Sequence, residues 1–154
     1  MAKLSAGILM YRGEGAALEV LLVHPGGPFW VSKDWGAWSI PKGEYAEGED
    51  PLAVAKREFT EELGSPPPQG GYAELGAIKQ PSRKLITVFA VAGDFDPAGL
   101  SSNLFELEWP PRSGRLQSFP EVDRAAWFEP AEARDKIQRG QAPFLDRLAE
   151  ILPC

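Results

Sequence analysis

The sequence predicts an α/β fold in which a mixed β-sheet is sandwiched between helices. Three observations predict it: strand-like runs before residue 25 and after residue 71, an amphipathic helical pattern at 50–63, and two helical patterns after Pro130. Strands that surround one helix and precede two others are typical of a sheet covered on both faces. A chain of 154 residues can bury a hydrophobic core, and we expect one domain over residues 1–154.

The composition is that of a globular protein in water: 44% of the residues are hydrophobic and 25% are charged. The net charge of −6 argues against bulk electrostatic binding to nucleic acid or to an anionic membrane. The one cysteine, Cys154, excludes an internal disulfide and a cysteine-rich zinc site. The apolar run near the N-terminus is too short for a membrane span and alternates like a strand, so we expect no signal peptide and a cytoplasmic location.

The elements follow one another in a definite order. Two strand-like runs joined by a glycine-containing turn come first, LSAGILMYR and ALEVLLVH. A long aperiodic segment follows, and a loop of that length in a small domain is usually functional. After the helix at 50–63 we expect strands in YAELGAIKQ, KLITVFAVAGDF and SNLFELEW. The segment PPRSGRLQSFPE is expected to be a loop, VDRAAWFEP a short strand, and AEARDKIQRG and FLDRLAEIL helices.

The helix at 50–63 has start and stop signals that agree. Asp50 is a good N-cap residue and Pro51 suits the first helical position. Gly64 suits the position just past the end of the helix. Apolar residues recur at spacings of three and four and predict a buried stripe, formed by Leu52, Ala55, Phe59 and Leu63.

Three acidic residues of this helix, Glu58, Glu61 and Glu62, follow the i, i+3, i+4 spacing and therefore share one face beside the buried stripe. One interpretation is a solvated helix with an acidic bias. The other is a divalent-metal site, because clustered carboxylate oxygens suit Mg²⁺ or Mn²⁺ and the ion would offset their repulsion. Glu49 and Gly43 in the preceding loop favour the metal site, since a glycine lets the backbone pass close to a bound ion.

The stretch resembles the Nudix box, G-x5-E-x7-R-E-U-x-E-E-x-G-U, in which U is a bulky aliphatic residue. Every charged and glycine position is matched, by Gly43, Glu49, Arg57, Glu58, Glu61, Glu62 and Gly64. Phe59 and Ser65 depart from the usual aliphatic residues without changing the chemical groups. The preceding WSIPKG is similar to the diadenosine polyphosphate hydrolases and to some RNA 5′-pyrophosphohydrolases of the family. The strand order also resembles a Nudix domain, so the resemblance extends over nearly the whole chain.

The resemblance implies a hydrolase that cleaves a nucleoside diphosphate linked to another group, using water and Mg²⁺, with Mn²⁺ as the alternative metal. The metal ligands that it implies are Glu58, Glu61, Glu62 and the backbone carbonyl of Lys42. The catalytic residues that it implies are Glu61 and Glu62, together with Arg57 and Glu49. Arg57 is expected to pair with Glu49 and to hold the carboxylates in place.

Outside the box, one acid stands where many relatives carry another metal ligand or a general base. This acid is Glu121, in the segment SFPEVDRAAWF. Its nearest rival is Asp123, and the alternative is that Glu121 is an ordinary solvated loop residue.

Candidate substrate-binding residues lie in the loops. Lys42 would place a cation beside a polyphosphate chain, and Arg83 would reach a phosphate. Trp30 and Trp35 are candidates for stacking on a base. Each has a structural alternative: a solvated surface charge for the two cations, and local hydrophobic packing for the two rings. Trp38 is expected to be structural, and His24 is expected to be structural or exposed, with a phosphate contact as its alternative.

The expected function is Mg²⁺-dependent hydrolysis of a pyrophosphate bond in a dinucleoside polyphosphate or a nucleoside triphosphate. The expected partner is thus a small nucleotide polyphosphate, with no membrane involved. One alternative is a non-catalytic, nucleotide-sensing Nudix module. The intact glutamates of the box disfavour this alternative. Another is an RNA 5′-pyrophosphohydrolase, which the acidic net charge disfavours. A hydrolase of diphosphoinositol polyphosphates would need more clustered lysines. The sequence names neither the substrate nor the oligomeric state.

Overall fold

The computed structural model describes residues 3–152, and Cys154 lies outside the described residues. The strands are β1 (Leu4–Arg12), β2 (Glu19–Pro25), β3 (Lys42–Tyr45), β4 (Ala73–Lys79), β5 (Leu85–Ala92), β6 (Leu104–Glu108), β7 (Leu116–Pro120) and β8 (Val122–Phe128). The helices are α1 (Pro51–Leu63), α2 (Pro130–Lys136) and α3 (Pro143–Ile151). No helix within residues 3–152 is long and apolar enough to cross a membrane.

Six strands form a mixed sheet in the order β4-β5-β1-β2-β8, with β3 paired to the first half of β1. β1 and β5 run parallel, and the other pairs run antiparallel. One face packs on α1 through the cluster that contains Ile8, Val54 and Phe59. The opposite face packs on α2 and α3 through the cluster that contains Leu9 and Phe144. The predicted mixed sheet between helices is therefore confirmed.

Helix α1 begins and ends where its sequence signals predict. The Asp50 carboxylate accepts a hydrogen bond from the Ala53 backbone N–H at 3.1 Å. Gly64 ends the helix with φ of 82°, a conformation that glycine adopts without a steric penalty. Val54 and Phe59 are among the buried residues, so the apolar stripe faces the sheet. This orientation brings the neighbouring acidic face to the edge of the core.

Two strands lie where loops were expected. β7 occupies the second half of PPRSGRLQSFPE, and that prediction was wrong. Its residues are mostly exposed and lack alternation, because β7 pairs only with β6 in a separate two-stranded sheet. β3 lies inside the long segment that was expected to be aperiodic. It is only four residues long and pairs with the first residues of β1, from Leu4 to Gly7.

Candidate active site

The acidic face of α1 places carboxylates in a partly buried cluster. The Glu58 side chain is only 14% exposed, and its burial raises the pKa of that carboxyl, with further increases from the charges of Glu61 and Glu121. Burial also raises the pKa of Glu62 to about 8, and the charges of Glu121 and Glu58 contribute to this increase. Each shift reports a carboxylate whose negative charge is poorly compensated.

Glu121 reaches this cluster because its backbone is tied to α1. The Asn103 N–H donates to the Glu61 carbonyl at 2.9 Å, and the Glu121 N–H donates to the Asn103 carbonyl at 2.8 Å. The Gly26 N–H then donates to the Glu121 carbonyl at 2.9 Å. A Cβ at Gly26 would overlap the carbonyl oxygen of Pro120, so this approach requires glycine. We call this chain of hydrogen bonds the backbone relay; it joins α1, the base of the β6–β7 hairpin and the loop after β2.

The Ser102 hydroxyl reinforces the relay. It accepts a hydrogen bond from the Val122 N–H at 3.0 Å and donates one to the Asn103 carbonyl at 2.9 Å. The peptide groups on both sides of Glu121 are thereby fixed to one short segment. Burial raises the pKa of the Glu121 carboxyl, and the charge of Glu61 raises it further. The acid selected outside the box is therefore a near neighbour of the box acids.

Arg57 lies between two carboxylates. Its guanidinium nitrogens are 3.7 Å from an oxygen of Glu49 and 3.7 Å from an oxygen of Glu58. The Glu49 carboxylate also accepts a hydrogen bond from the Ala46 N–H at 3.1 Å, which closes the turn before α1. At these separations the pairs are loose and partly solvated, so Arg57 balances charge at the rim of the cluster more than it clamps any one side chain.

Gly43 and Lys42 point to opposite faces of the sheet, as consecutive strand residues do. A Cβ at Gly43 would overlap the Glu58 carboxyl group, so only glycine leaves room there. The Lys42 side chain lies instead on the face of its cross-strand partner Gly7. Burial lowers the pKa of Lys42, and the charge of Glu62 opposes that effect.

The other predicted binding residues are more dispersed. Arg83 lies in the turn between β4 and β5 with φ of 71°, and its neighbour Lys84 pairs with Glu44 of β3 at 3.0 Å. The Trp30 ring lies 5.1 Å from the ammonium of Lys33 in its own loop. The Trp35 ring is 67% exposed and lies 4.5 Å from the ammonium of Lys136 at the end of α2. Trp38 is buried, as expected.

His24 is fully buried and uses both ring nitrogens. Nδ1 lies 2.8 Å from a carboxylate oxygen of Asp123, and Nε2 lies 2.6 Å from the carbonyl oxygen of Lys33. Asp123, the rival of Glu121 for a role in the cluster, is therefore bonded to His24. The histidine ties the loop after β2 to β8, which agrees with the structural role expected for it.

Sequence reasoning missed an aromatic surface beside Glu121. The rings of Phe29 and Trp109 meet edge to face at 5.3 Å, and those of Phe105 and Phe119 lie 6.0 Å apart across the β6–β7 pair. The spacing of Phe105, in β6, and Trp109, the residue after β6, was a signal, since every second position of an extended segment lies on the same face. The partner residues are far away in sequence, in the loop after β2 and in the strand that had been predicted as a loop.

The cluster has the chemistry of a divalent-cation site without a finished ligand geometry. Among residues 3–152, no group of three or more His, Cys, Asp or Glu side chains is arranged so that it could hold a metal ion. The donors are nevertheless all hard oxygens, and the space beside Glu58 is kept free by Gly43. A cation would offset the repulsion that raises the carboxyl pKa values. The donor chemistry and the space that Gly43 leaves therefore suit such an ion.

Comparisons with known proteins identify the family and agree with the fold. The family model described as NUDIX domain matches residues 1–148. An Ap4A hydrolase of C. elegans, solved as a binary complex, aligns with a TM-score of 0.60 and 19% identity over 95% of this chain and 96% of that one. The NUDIX domain of Shewanella oneidensis NrtR, complexed with ADP ribose, aligns with a TM-score of 0.64 and 16% identity over 97% and 88%. A mutT/nudix family protein from Listeria innocua aligns with a TM-score of 0.60 and 14% identity over 96% and 92%. No curated protein matches the chain by sequence.

Proposed function

The chain belongs to the Nudix family and is a Nudix-type pyrophosphohydrolase, and we propose that it uses Mg²⁺ to cleave a dinucleoside polyphosphate or a nucleoside triphosphate. One observation carries the proposal: half-buried carboxylates on α1 and a loop acid gather, and the pKa values of Glu58, Glu62 and Glu121 are raised. Such a cluster is costly unless a cation or protons compensate it. The Ap4A hydrolase and the ADP-ribose complex among the similar structures support a nucleotide substrate. Mn²⁺ is the alternative metal, and the cytoplasm is the proposed location.

The ion would be held by the residues that surround the acidic face of α1. These are Glu58, Glu61, Glu62 and the backbone carbonyl of Lys42. Mg²⁺, when bound, neutralises the charge of a pyrophosphate and lowers the pKa of a bound water. The protein contributes a fixed frame for these oxygens, and positioning with electrostatics supplies most of the catalysis in phosphoryl transfer.

Glu121 is the residue that we assign to proton transfer from the attacking water. The backbone relay holds its main chain, and its carboxyl lies close enough to the cluster for the charge of Glu61 to act on it. A carboxyl with a raised pKa retains more basicity than an ordinary glutamate, which suits a general base. Arg57 balances the charge of Glu58 and Glu49 at the rim.

The test is a panel of dinucleoside polyphosphates and nucleoside triphosphates with Mg²⁺, read by chromatographic identification of the products. We expect turnover of at least one member and loss of turnover in Glu62→Gln. Glu47→Gln, which changes an exposed loop acid, is the matched control and should retain activity. A folded wild-type protein that binds nucleotides but hydrolyses none of them, with either metal, would instead favour a sensing module.

A further inference from the structure

We propose that His24 is a positioning residue for the reaction: by binding Asp123 it holds a β-bulge that fixes the backbone of Glu121 beside the carboxylate cluster. The assignment rests on the proposed function, in which Glu121 takes the proton of the attacking water. It extends that function by giving a buried histidine outside the Nudix box an effect on the rate of hydrolysis.

The pairing of β2 with β8 contains one extra residue. His24 lies opposite Arg124, and Pro25 lies opposite Val122, so Asp123 has no partner on β2. An extra residue on one strand forms a β-bulge, which bends the strand and changes the direction of the side chains around it. The bulge therefore lies at Asp123.

The side chains on either side of the bulge point to different faces of the sheet. Residues two apart in a regular strand share a face. Val122 instead packs in the cluster on the α1 face. The Arg124 side chain lies over the ring of Trp38, which belongs to the cluster on the opposite face. The orientation of the chain before the bulge, which carries Glu121, thus depends on the bulge and not on the alternation of β8.

His24 binds the extra residue with a side chain that is itself fixed. The ring is fully buried, its Nδ1 lies 2.8 Å from a carboxylate oxygen of Asp123, and its Nε2 lies 2.6 Å from the carbonyl oxygen of Lys33. A carbonyl oxygen only accepts hydrogen bonds, so Nε2 donates to it and Nδ1 stays directed at the bulge. Nε of Arg124 lies 3.7 Å from the same Asp123 oxygen, beyond hydrogen-bond distance, so the short bond comes from His24.

A second contact joins the same end of β2 to Glu121 itself. The Gly26 N–H donates to the Glu121 carbonyl at 2.9 Å, and a Cβ at Gly26 would lie 1.9 Å from the Pro120 carbonyl oxygen. His24 thus holds the chain just after Glu121, and Gly26 holds Glu121 directly. Because both contacts run across space between the same two segments, Asp123 cannot shift without disturbing the bond between Gly26 and Glu121.

A displacement at Asp123 should act on the chemical step. The carboxylates proposed to hold the metal lie on α1, whose cap and stop are formed by its own residues. Glu121 depends on the bulge, and misplacing a reacting group by about 1 Å can cost roughly a hundredfold in rate. We therefore expect the bond between His24 and Asp123 to affect kcat and to leave KM nearly unchanged.

Two substitutions of His24 separate its two bonds. The side-chain amide of asparagine can take the place of Nδ1 and donate to Asp123, whereas that of glutamine can take the place of Nε2 and donate to the Lys33 carbonyl. With diadenosine tetraphosphate or ATP in Mg²⁺, His24→Gln should lower kcat at least roughly tenfold and change KM by less than about twofold. His24→Asn is the matched control and should keep kcat within about threefold of the wild type.

Asp123→Ala removes the same bond from the other side. The Asp123 side chain is 25% exposed, so this variant keeps the test available if His24→Gln does not fold. It should cause the same loss of kcat as His24→Gln, and the double variant should show no additional loss, because both substitutions remove one interaction.

Hydrogen exchange of the full chain gives a measurement that does not depend on turnover. The N–H groups of Gly26 and Glu121 should exchange at least roughly tenfold faster in His24→Gln than in the wild type, and His24→Asn should exchange like the wild type.

An equal fall of kcat in both His24 variants would overturn the assignment, as would losses that add in the double variant. A rise of KM in place of a fall of kcat would also overturn it. Turnover by the wild type, with unchanged kcat and exchange in His24→Gln, would refute the role of His24 and leave the hydrolase proposal standing. Faster exchange in His24→Gln without any turnover by the wild type would refute the hydrolase proposal and, with it, the effect of His24 on the rate.

Discussion

Replacing Glu62 by glutamine should stabilise the metal-free protein while abolishing its activity. The carboxyl is buried beside other acids, which raises its pKa to about 8, whereas an unfolded glutamate titrates near 4.5. Between these two pH values the folded state binds a proton that the unfolded state has lost. Stability therefore falls as the pH rises through this window, and the loss is complete above pH 8.

The magnitude follows from the same two values. A displacement from 4.5 to about 8 corresponds to about 5 kcal/mol once both states are ionised, and to about 3 kcal/mol at pH 7. Glutamine carries no charge in either state, so Glu62→Gln should recover part of this free energy, reduced by the loss of the favourable interaction of the carboxylate with Lys42. For a chain of this length, about 3 kcal/mol corresponds to an increase of roughly 6 to 12 °C in Tm.

The assay is thermal unfolding of both proteins in a chelator between pH 5 and pH 9. The Tm difference should be small at pH 5 and grow towards pH 8. Added Mg²⁺ should raise the Tm of the wild type, since a ligand of the folded state stabilises it, and should raise that of Glu62→Gln much less. Glu47→Gln should follow the wild type throughout. A variant that is less stable than the wild type at pH 8 in chelator, or a difference that is independent of pH, would refute the reasoning.

Three further predictions concern the frame of the cluster. Gly43→Ala should displace Glu58 and reduce both activity and Mn²⁺ affinity at least roughly tenfold. The control is Gly70→Ala, at a position with open space around it. Equal effects of the two substitutions would contradict the steric argument. Ser102→Ala should lower kcat with little change in KM, because the backbone around Glu121 loses the hydrogen bonds of the hydroxyl. Ser102→Thr keeps a hydroxyl and should restore kcat. A loss of kcat that threonine does not recover would count against a positioning role for Ser102. Ser5→Ala removes a buried hydroxyl that has no hydrogen-bond partner among residues 3–152. It should raise the free energy of unfolding by about 1 kcal/mol in denaturant titration, and a decrease would contradict this reasoning.

The sequence predicted those elements whose limits are determined by residues near them in the chain. Helix α1 carries its own cap, its own stop and its own apolar stripe, so its limits and its acidic face could be read directly. Strand β7 could not be recognised from the sequence, because its stability comes from pairing with β6 and not from alternation of its own residues. The pairing of Phe29 with Trp109 was equally invisible, since it depends on how two distant segments pack.

In the candidate site, too, residues placed by local spacing were predicted, and a side-chain direction that depends on strand pairing was not. The spacing of the box placed Glu58, Glu61 and Glu62 on one face, and the position of Glu121 relative to the last strand indicated a fourth acid. The direction of the Lys42 side chain depends on its register against β1, which the sequence does not state. The roles of these residues in metal binding and catalysis stay predictions until the variants are measured.

The backbone relay depends on the base of the β6–β7 hairpin and not on its tip, so the tip can vary in sequence and length. Its hydrogen bonds lie at the base of the hairpin, at Asn103 and Glu121, whereas the tip between Glu108 and Leu116 takes no part in them. Insertions or replacements at the tip can therefore alter the aromatic surface around Trp109 without displacing the acid at the base. New substrate preferences could be grafted there, by evolution or by design, onto unchanged hydrolytic chemistry.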